Sequence, residues 1–444
     1  MIRSFYAELS RLLRRFGWLP ISQAIVFVVS TTGFAVLARI LGPESYAKFA
    51  FILLVFTVTS LLVDLSPQGF ALVHGVTVET LGVARKIAVL SSALGAVLLG
   101  ILMFVSRDYV PNDPLTIGDF GVLLSALLAQ FAMQPSRASI VASREYWRVA
   151  LTDIAGTVAG VAAAIVLALS SAGGIALVSQ LAIGAIVKAV FSLILSRRIE
   201  HSPAPTGFSL GQAIRFGLRV VPLNLASYLG RSLDSGLLPG LVPAAAAASY
   251  SRSYQIVVVP ITQMQLSVGP AILERFSLTS RSNSDVHFAS RLKLWTWLQG
   301  GAFVFALLVI AFSGVIQILL FGPGWQDVNV TISAMACCLP GMAVATFGTW
   351  STQVDGGLSR ALVHLLVVLL GPASVLLAAW AGDYGIALLT LVVVGGLIQP
   401  QLLSALHAGS LKRRHRNTAL ILFGQWLICS TLFVAVATLS GFWK

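Results

Sequence analysis

WLPISQAIVFVVSTTGFAVLARILGPESYAKFAFILLVFTVTSLLVDLSPQGFALVH, residues 18–74, holds two long apolar runs separated by the turn residues Leu41-Gly42-Pro43-Glu44. Each run is long enough, at about 1.5 Å of helix rise per residue, to cross roughly 30 Å of hydrocarbon. The same reading continues along the chain and gives thirteen stretches, at 18–41, 45–74, 82–106, 115–142, 147–170, 173–197, 212–240, 243–274, 290–320, 327–353, 359–380, 384–407 and 417–441. None alternates with the period of two that a membrane barrel requires. In lipid every peptide N–H must be satisfied within the protein, so runs of this length without alternation are helices. The expectation is an all-α polytopic membrane protein of about 13 transmembrane helices, within a range of 12–14. Composition agrees: mean hydropathy is +0.90 and only 10% of the 444 residues are charged, whereas a soluble chain carries about 25%.

Charge placement sets the orientation. With the N-terminus in the cytoplasm, 21 of the 29 basic residues fall in inside gaps, against four, Arg39, Lys48, Arg107 and Lys444, in outside gaps. This is the bias of the positive-inside rule. The net charge of +13 is therefore mostly topological, and its dispersal over short segments facing anionic lipid argues against nucleic-acid binding. Residues 1–17, in which Phe5, Leu9, Leu12, Leu13 and Phe16 interleave with Arg11, Arg14 and Arg15, read as an amphipathic interfacial helix and not as a cleavable signal. Cys337, Cys338 and Cys429 suggest neither a disulfide framework nor a metal site. No outside gap is long enough to carry a catalytic domain, and there is no phosphate loop, zinc-protease helix or nucleophile elbow. The chain is expected not to be an enzyme, with no catalytic residues, no metal and no cofactor.

An internal repeat organises the helices. The hairpin connector Ile40-Leu41-Gly42-Pro43 has a counterpart 200 residues on in Gly240-Leu241-Val242-Pro243, each opening the second helix of a half. An even number of crossings separates the two, so the halves are parallel repeats, an arrangement that builds two-lobed transporters. The boundaries expected are an interfacial helix at 1–17, a six-helix lobe at 18–198, a cytoplasmic linker at 199–211, a second six-helix lobe at 212–408, and a basic loop with an additional hydrophobic helix at 409–444.

Ala38-Arg39-Ile40-Leu41-Gly42-Pro43-Glu44-Ser45-Tyr46 resembles the Ala-Arg-x-Leu-Gly-Pro-x-x-Tyr signature of the Wzx-like polysaccharide flippases, a family of the multidrug/oligosaccharidyl-lipid/polysaccharide (MOP) exporter superfamily. Phe216-Gly217, Asp234 with Leu237-Leu238, Tyr250-Ser251-Arg252, Phe321-Gly322-Pro323-Gly324-Trp325, and Gly357 with Arg360 extend the likeness over residues 38–360. The resemblance implies movement of an undecaprenyl-diphosphate-linked oligosaccharide across the bacterial inner (cytoplasmic) membrane by alternating access, for surface polysaccharide or exopolysaccharide synthesis. It implies as partners that lipid-linked oligosaccharide, membrane lipids, and a polysaccharide polymerase or export machinery. Two other readings stay open, a drug/cation antiporter of the same superfamily and a non-transporting scaffold subunit of an export complex. Asp64-Leu65-Ser66-Pro67 departs from the family pattern by putting a helix-breaking proline where relatives carry glycine.

A charge at the centre of the bilayer costs about 2.5–3.5 kcal/mol on insertion scales, so ionisable residues there are paired or face a cavity. Arg231 and Arg252 stand nine residues on either side of the Gly240–Pro243 turn, at similar depth, and Asp234 lies one turn after Arg231. Guanidinium forks suit phosphate, which makes Arg231, Arg252 and Asp234 candidate substrate-binding residues, with a salt bridge between helices as the structural alternative. Arg39 is a candidate at the outer rim. Asp64, beside Pro67, is a candidate for ion coupling. Asp153 is expected to pair with Arg148, and Lys188 to snorkel to the inner surface.

Overall fold

A computed structural model describes residues 18–106, 115–170, 174–199, 207–262, 284–321, 325, 327–355, 358–406 and 415–442. The amphipathic segment expected at 1–17 lies outside the described residues. Each of the thirteen apolar stretches is mainly helical over its described residues, and no β-strand occurs among them. The chain divides into two compact units, Met1–Leu225 and Ala226–Lys444.

In the first unit, α1 (Trp18–Val63) contains a break at Gly42, whose φ of 72° only glycine adopts without cost. The two arms fold back on each other. Tyr46 Oη donates to the Phe34 carbonyl at 3.4 Å and the two rings meet edge to face at 5.4 Å, whereas twelve residues of continuous helix would hold them roughly 18 Å apart. The second arm ends at 64–66, Ser66 turns left-handed (φ 55°), and Pro67 opens α2 (Pro67–His74) at a position where its missing N–H costs nothing. Next come α3 (Val78–Val105), α4 (Ile117–Ala142), α5 (Tyr146–Leu169) and α6 (Ile175–Ser196). Reciprocal capping boxes, Thr77 with Thr80 and Thr116 with Asp119, fix the starts of α3 and α4.

Small residues let the helices of this unit touch. A Cβ at Gly160 of α5 would stand 2.6 Å from the Gln180 carbonyl oxygen of α6, and one at Gly156 would stand 2.7 Å from that of Gly184. Close backbone approach of this kind supplies van der Waals contact where lipid gives no hydrophobic drive between helices. Two buried ion pairs add to it. Lys48 of α1 meets Asp119 of α4 at 3.3 Å, and Arg137 of α4 grips Asp153 of α5 with both Nη atoms, at 2.7 and 2.8 Å. Asp153 thus pairs with Arg137 and not with Arg148. Arg148 instead donates to the Leu195 carbonyl (2.7 Å) near the end of α6 and meets Glu145 at 2.8 Å. The start of α7 (Leu210–Leu237) also belongs to this unit: Ala213 joins the cluster of Leu65, Phe70, Val83 and Ile87, with Phe208 and Phe216 packed against it.

The second unit holds the rest of α7, α8 (Ala244–Val257), α9 (Ser284–Ala311), α10 (Ser313–Ile316), α11 (Val328–Ala336), α12 (Leu339–Asp355), α13 (Leu358–Trp380), α14 (Tyr384–Thr390), a π-helical stretch Leu391–Ile398, α15 (Gln399–Leu406) and α16 (His415–Leu439). By length and composition, nine helices among the described residues can cross a membrane, or ten if α11 and α12, bent by 41°, form one span. Three differences separate that tally from thirteen. Counting ten, the α1 hairpin counts once, α7 is too polar, and the described part of α8 is too short to qualify.

The additional helix α16 is built into this unit. Gln401 Nε2 donates to the Ala419 carbonyl (3.0 Å), Trp426 Nε1 to the Val392 carbonyl (2.8 Å), and Gln299 Nε2 to Gln425 Oε1 (2.9 Å). As the number on α16 rises from 419 to 426, that of its partner falls from 401 to 392, so α16 runs antiparallel to the α14–α15 rod along its length. Reporter fusions in the 407–414 loop and after Lys444 should therefore lie on opposite sides of the membrane. The same compartment for both would show that α16 does not cross.

Candidate functional site

The turn at Leu238–Gly240 sends the chain from α7 back along α8. Two side-chain bonds set the register of this hairpin. Tyr250 Oη donates to Asp234 Oδ2 at 2.5 Å, and Ser232 Oγ bonds Tyr254 Oη at 3.1 Å. The paired numbers place backbone position 231 level with 254, and 252 level with 233, which agrees with the shared depth expected from the sequence. Asp234, 6% exposed, also accepts from the Ser235 amide at 2.8 Å. Hydrogen bonds to a charged group contribute about 1.5–3 kcal/mol each, and here a neutral phenol supplies one where the sequence points to a cation.

Tyr250 and Tyr254 are one turn apart and share the face of α8 that meets α7. Arg252 is two residues from Tyr250, about 200° around the helix, and its Nη1 donates to Gln255 Oε1 at 2.5 Å. It is 4% exposed. The structure therefore places Asp234 and Arg252 on different sides of α8. The side chain of Arg231 lies outside the described residues. Tyr250 is legible in the sequence only as part of a motif; the signal that could reveal its role is the spacing Tyr250-x-x-x-Tyr254, facing Ser232 and Asp234 across the turn.

In the first unit, Asp64 sits in the break that Pro67 predicts. Its Oδ1 accepts from the Ser66 amide (2.9 Å) and from Gln134 Nε2 of α4 (3.3 Å), while the Leu65 amide reaches Ser91 Oγ of α3 at 3.5 Å. On the other side α7 comes so close that a Cβ at Gly217 would stand 2.5 Å from both the Cα and the carbonyl oxygen of Leu65. A half-buried carboxylate is thus held at an interruption of the helix, a setting that suits a small cation or a proton. Gln134 and Ser91 do not stand out in the sequence because neither carries a charge. Arg39 is exposed at the far end of the α1 hairpin, separated from Asp64 by the second arm, roughly 30 Å of helix. Among the described residues no group of three His, Cys, Asp or Glu side chains could hold a metal ion.

The fold recurs in known transporters. The lipid II flippase MurJ in an inward closed conformation superposes with a TM-score of 0.65 at 13% identity, covering 95% of this chain and 97% of that one. The Vibrio cholerae MATE transporter VcmN in its bent form gives 0.60 at 14% identity, covering 90% and 97%. The eukaryotic MATE transporter AtDTX14 gives 0.63 at 15%, covering 93% and 99%. At such identities the likeness is one of fold. No curated protein matches the sequence. A family profile described as "Polysaccharide biosynthesis protein" matches residues 36–330, from the last turns of the first helical arm into α11 and so through the Asp64 break and the Asp234–Tyr250 hairpin. On that match, which takes in more than half of its length, the chain belongs to the polysaccharide biosynthesis protein family.

Proposed function

We propose that the protein is a flippase that carries an oligosaccharide linked through a diphosphate to a lipid across the bacterial inner membrane, with its N-terminus in the cytoplasm, by alternating access of its two halves. The observation that carries this reading is Arg252, a guanidinium buried at membrane depth on α8 within the family's matched segment. Desolvated guanidinium is the side chain best suited to phosphate oxygens, which it can engage through two parallel bonds. Position 231 lies within one helical turn of its level on the neighbouring helix, and Arg231 is proposed to share the diphosphate. The polarity of α7 and α8, the helices that fail as ordinary spans, fits a wet path for sugars better than a lipid-facing wall. The fold shared with MurJ, a lipid II flippase, supports the same class of cargo.

Asp234 is assigned a positioning role. Bound to Tyr250, it fixes the register of α7 against α8 and with it the placement of both arginines. Asp64 is proposed as the ion-coupling carboxylate, and Arg39 as an outer-rim contact for the departing substrate. The likeness to MATE transporters carries a second reading, drug or cation antiport, which two buried or half-buried acids, Asp64 and Asp234, would serve.

In a deletion strain, lipid-linked sugar precursor should accumulate on the inner leaflet and be cleared by the wild-type gene. Drug export with no precursor accumulation would favour the antiporter. Arg252→Ala should weaken binding of the lipid diphosphate by about tenfold or more, the equivalent of losing one charge-assisted contact, without lowering the thermal midpoint in detergent. Tyr250→Phe and Asp234→Asn should do the reverse, each costing about 1–3 kcal/mol of stability with a double-mutant coupling that shows the bond is shared. Normal substrate affinity in folded Arg252→Ala would remove Arg252 from the binding role. Asp64→Asn should leave the protein inserted but make its initial transport rate indifferent to an imposed ion gradient. A rate that still follows the gradient would exclude Asp64 from coupling.

A further inference from the structure

Three ionisable side chains of the first unit lie in one layer. Counted from the ends of their helices, Arg137 of α4, Asp153 of α5 and Lys188 of α6 stand five, seven and eight residues in, roughly 8–12 Å deep on the same side. Their charges do not cancel. Arg137 spends both Nη atoms on the two oxygens of Asp153, which closes that pair as a neutral unit. Lys188 lies against α5 at Gly156, one turn from Asp153, yet among the described residues it makes no hydrogen bond and no ion pair.

Nor is Lys188 free to snorkel, as its sequence position suggests. Its stem lies in a cradle on α5 that exists because residue 156 is glycine: a Cβ there would collide with Lys188 Cγ and stand 2.9 Å from Cε. Lys188 shares a helix face with Gly184 and Ser192, both buried, while Ile186 and Val190 on the other side are exposed. A cation held in place at membrane depth, with the nearby Asp153 carboxylate already engaged by Arg137, is suited to an external counter-anion.

We propose that Lys188, backed by the Arg137–Asp153 pair, is an anion site that takes a phosphate-type group, either a phospholipid headgroup or a diphosphate. Arg231 and Arg252 belong to the other unit, and the proposal stands whether or not those residues bind substrate. Lysine acts here as a point charge, so Lys188→Arg preserves the site in large part, and the compensating carboxylate sets its strength. Removing that carboxylate frees the Arg137 fork for the same anion.

The test uses the full chain in nanodiscs, in an Arg231→Gln/Arg252→Gln background so that the proposed substrate site is silent, with inorganic pyrophosphate as the probe. Lys188→Met should lose about tenfold or more in pyrophosphate affinity, as expected for a lost charge-assisted contact. Its thermal midpoint should not fall, because an uncompensated charge has been taken out of an apolar setting. Lys188→Arg should bind nearly as the parent, and Asp153→Asn should bind more tightly if folded, the opposite of what a purely structural pair would give. Phosphatidylglycerol added to phosphatidylcholine discs separates the sources: competition with pyrophosphate identifies a lipid headgroup site, and independence identifies a site for a diphosphate. Unchanged pyrophosphate binding in Lys188→Met would overturn the proposal. So would a lowered midpoint in that variant with the loss of binding shared by Lys188→Arg, since Lys188 would then be a structural partner of Asp153.

Discussion

A peptide group inside the bilayer has no water to turn to, and the architecture follows from where the chain can interrupt a helix without leaving such a group bare. Several interruptions are repaired by side chains. At 64–66, Asp64 takes the Ser66 amide and Ser91 the Leu65 amide. In the π-helical stretch, Trp426 reaches the Val392 carbonyl and Cys338 the Leu391 carbonyl. Before α11, Gln317 donates to the carbonyl of Trp325. Polar residues that composition alone would mark as transport-path candidates are, at these points, backbone partners.

Charge is governed by the same scarcity, and the two units meet it differently. The first neutralises cation with anion across helices, as Lys48 with Asp119 and Arg137 with Asp153. In the second, the buried carboxylate of Asp234 is held by a tyrosine hydroxyl and a backbone amide. Among the described residues a phenol and a peptide group hold this carboxylate, where the first unit uses an ammonium or a guanidinium. Beside those pairs Lys188, on α6, makes no ion pair among the described residues.

The hydrophobic runs, the hairpin at Gly42-Pro43 and the break at Pro67 are all legible in the sequence, because each depends on local composition or on a residue whose backbone freedom is unusual. Depth is legible too: the nine-residue spacing of Arg231 and Arg252 from their turn predicts the level at which the hairpin bonds hold them. What the sequence does not contain is the rotational phase of one helix against another. Arg148 is nearer to Asp153 along the chain, but Arg137 arrives from α4 with the geometry of a fork. Tyr250 and Arg252, neighbours in a motif, point to different sides of α8 for the same reason. The docking of α16 through Trp426, Gln425 and Ala419 is likewise invisible, since its apolar pattern is almost uniform around the helix.

The seventh helical rod begins in one unit and ends in the other. Phe216 and Gly217 pack on Phe70 and Leu65, while Asp234, farther along the same helix, is fastened to α8. During synthesis the first six crossings therefore emerge before the segment that covers the Leu65–Phe70 patch and braces the Asp64 break. A nascent chain paused at the 199–211 connector exposes that patch, with its interrupted backbone, until the ribosome has moved on past Phe216 and Gly217. The order of emergence thus makes the first half a waiting intermediate, whose completion is timed by the ribosome's entry into the second.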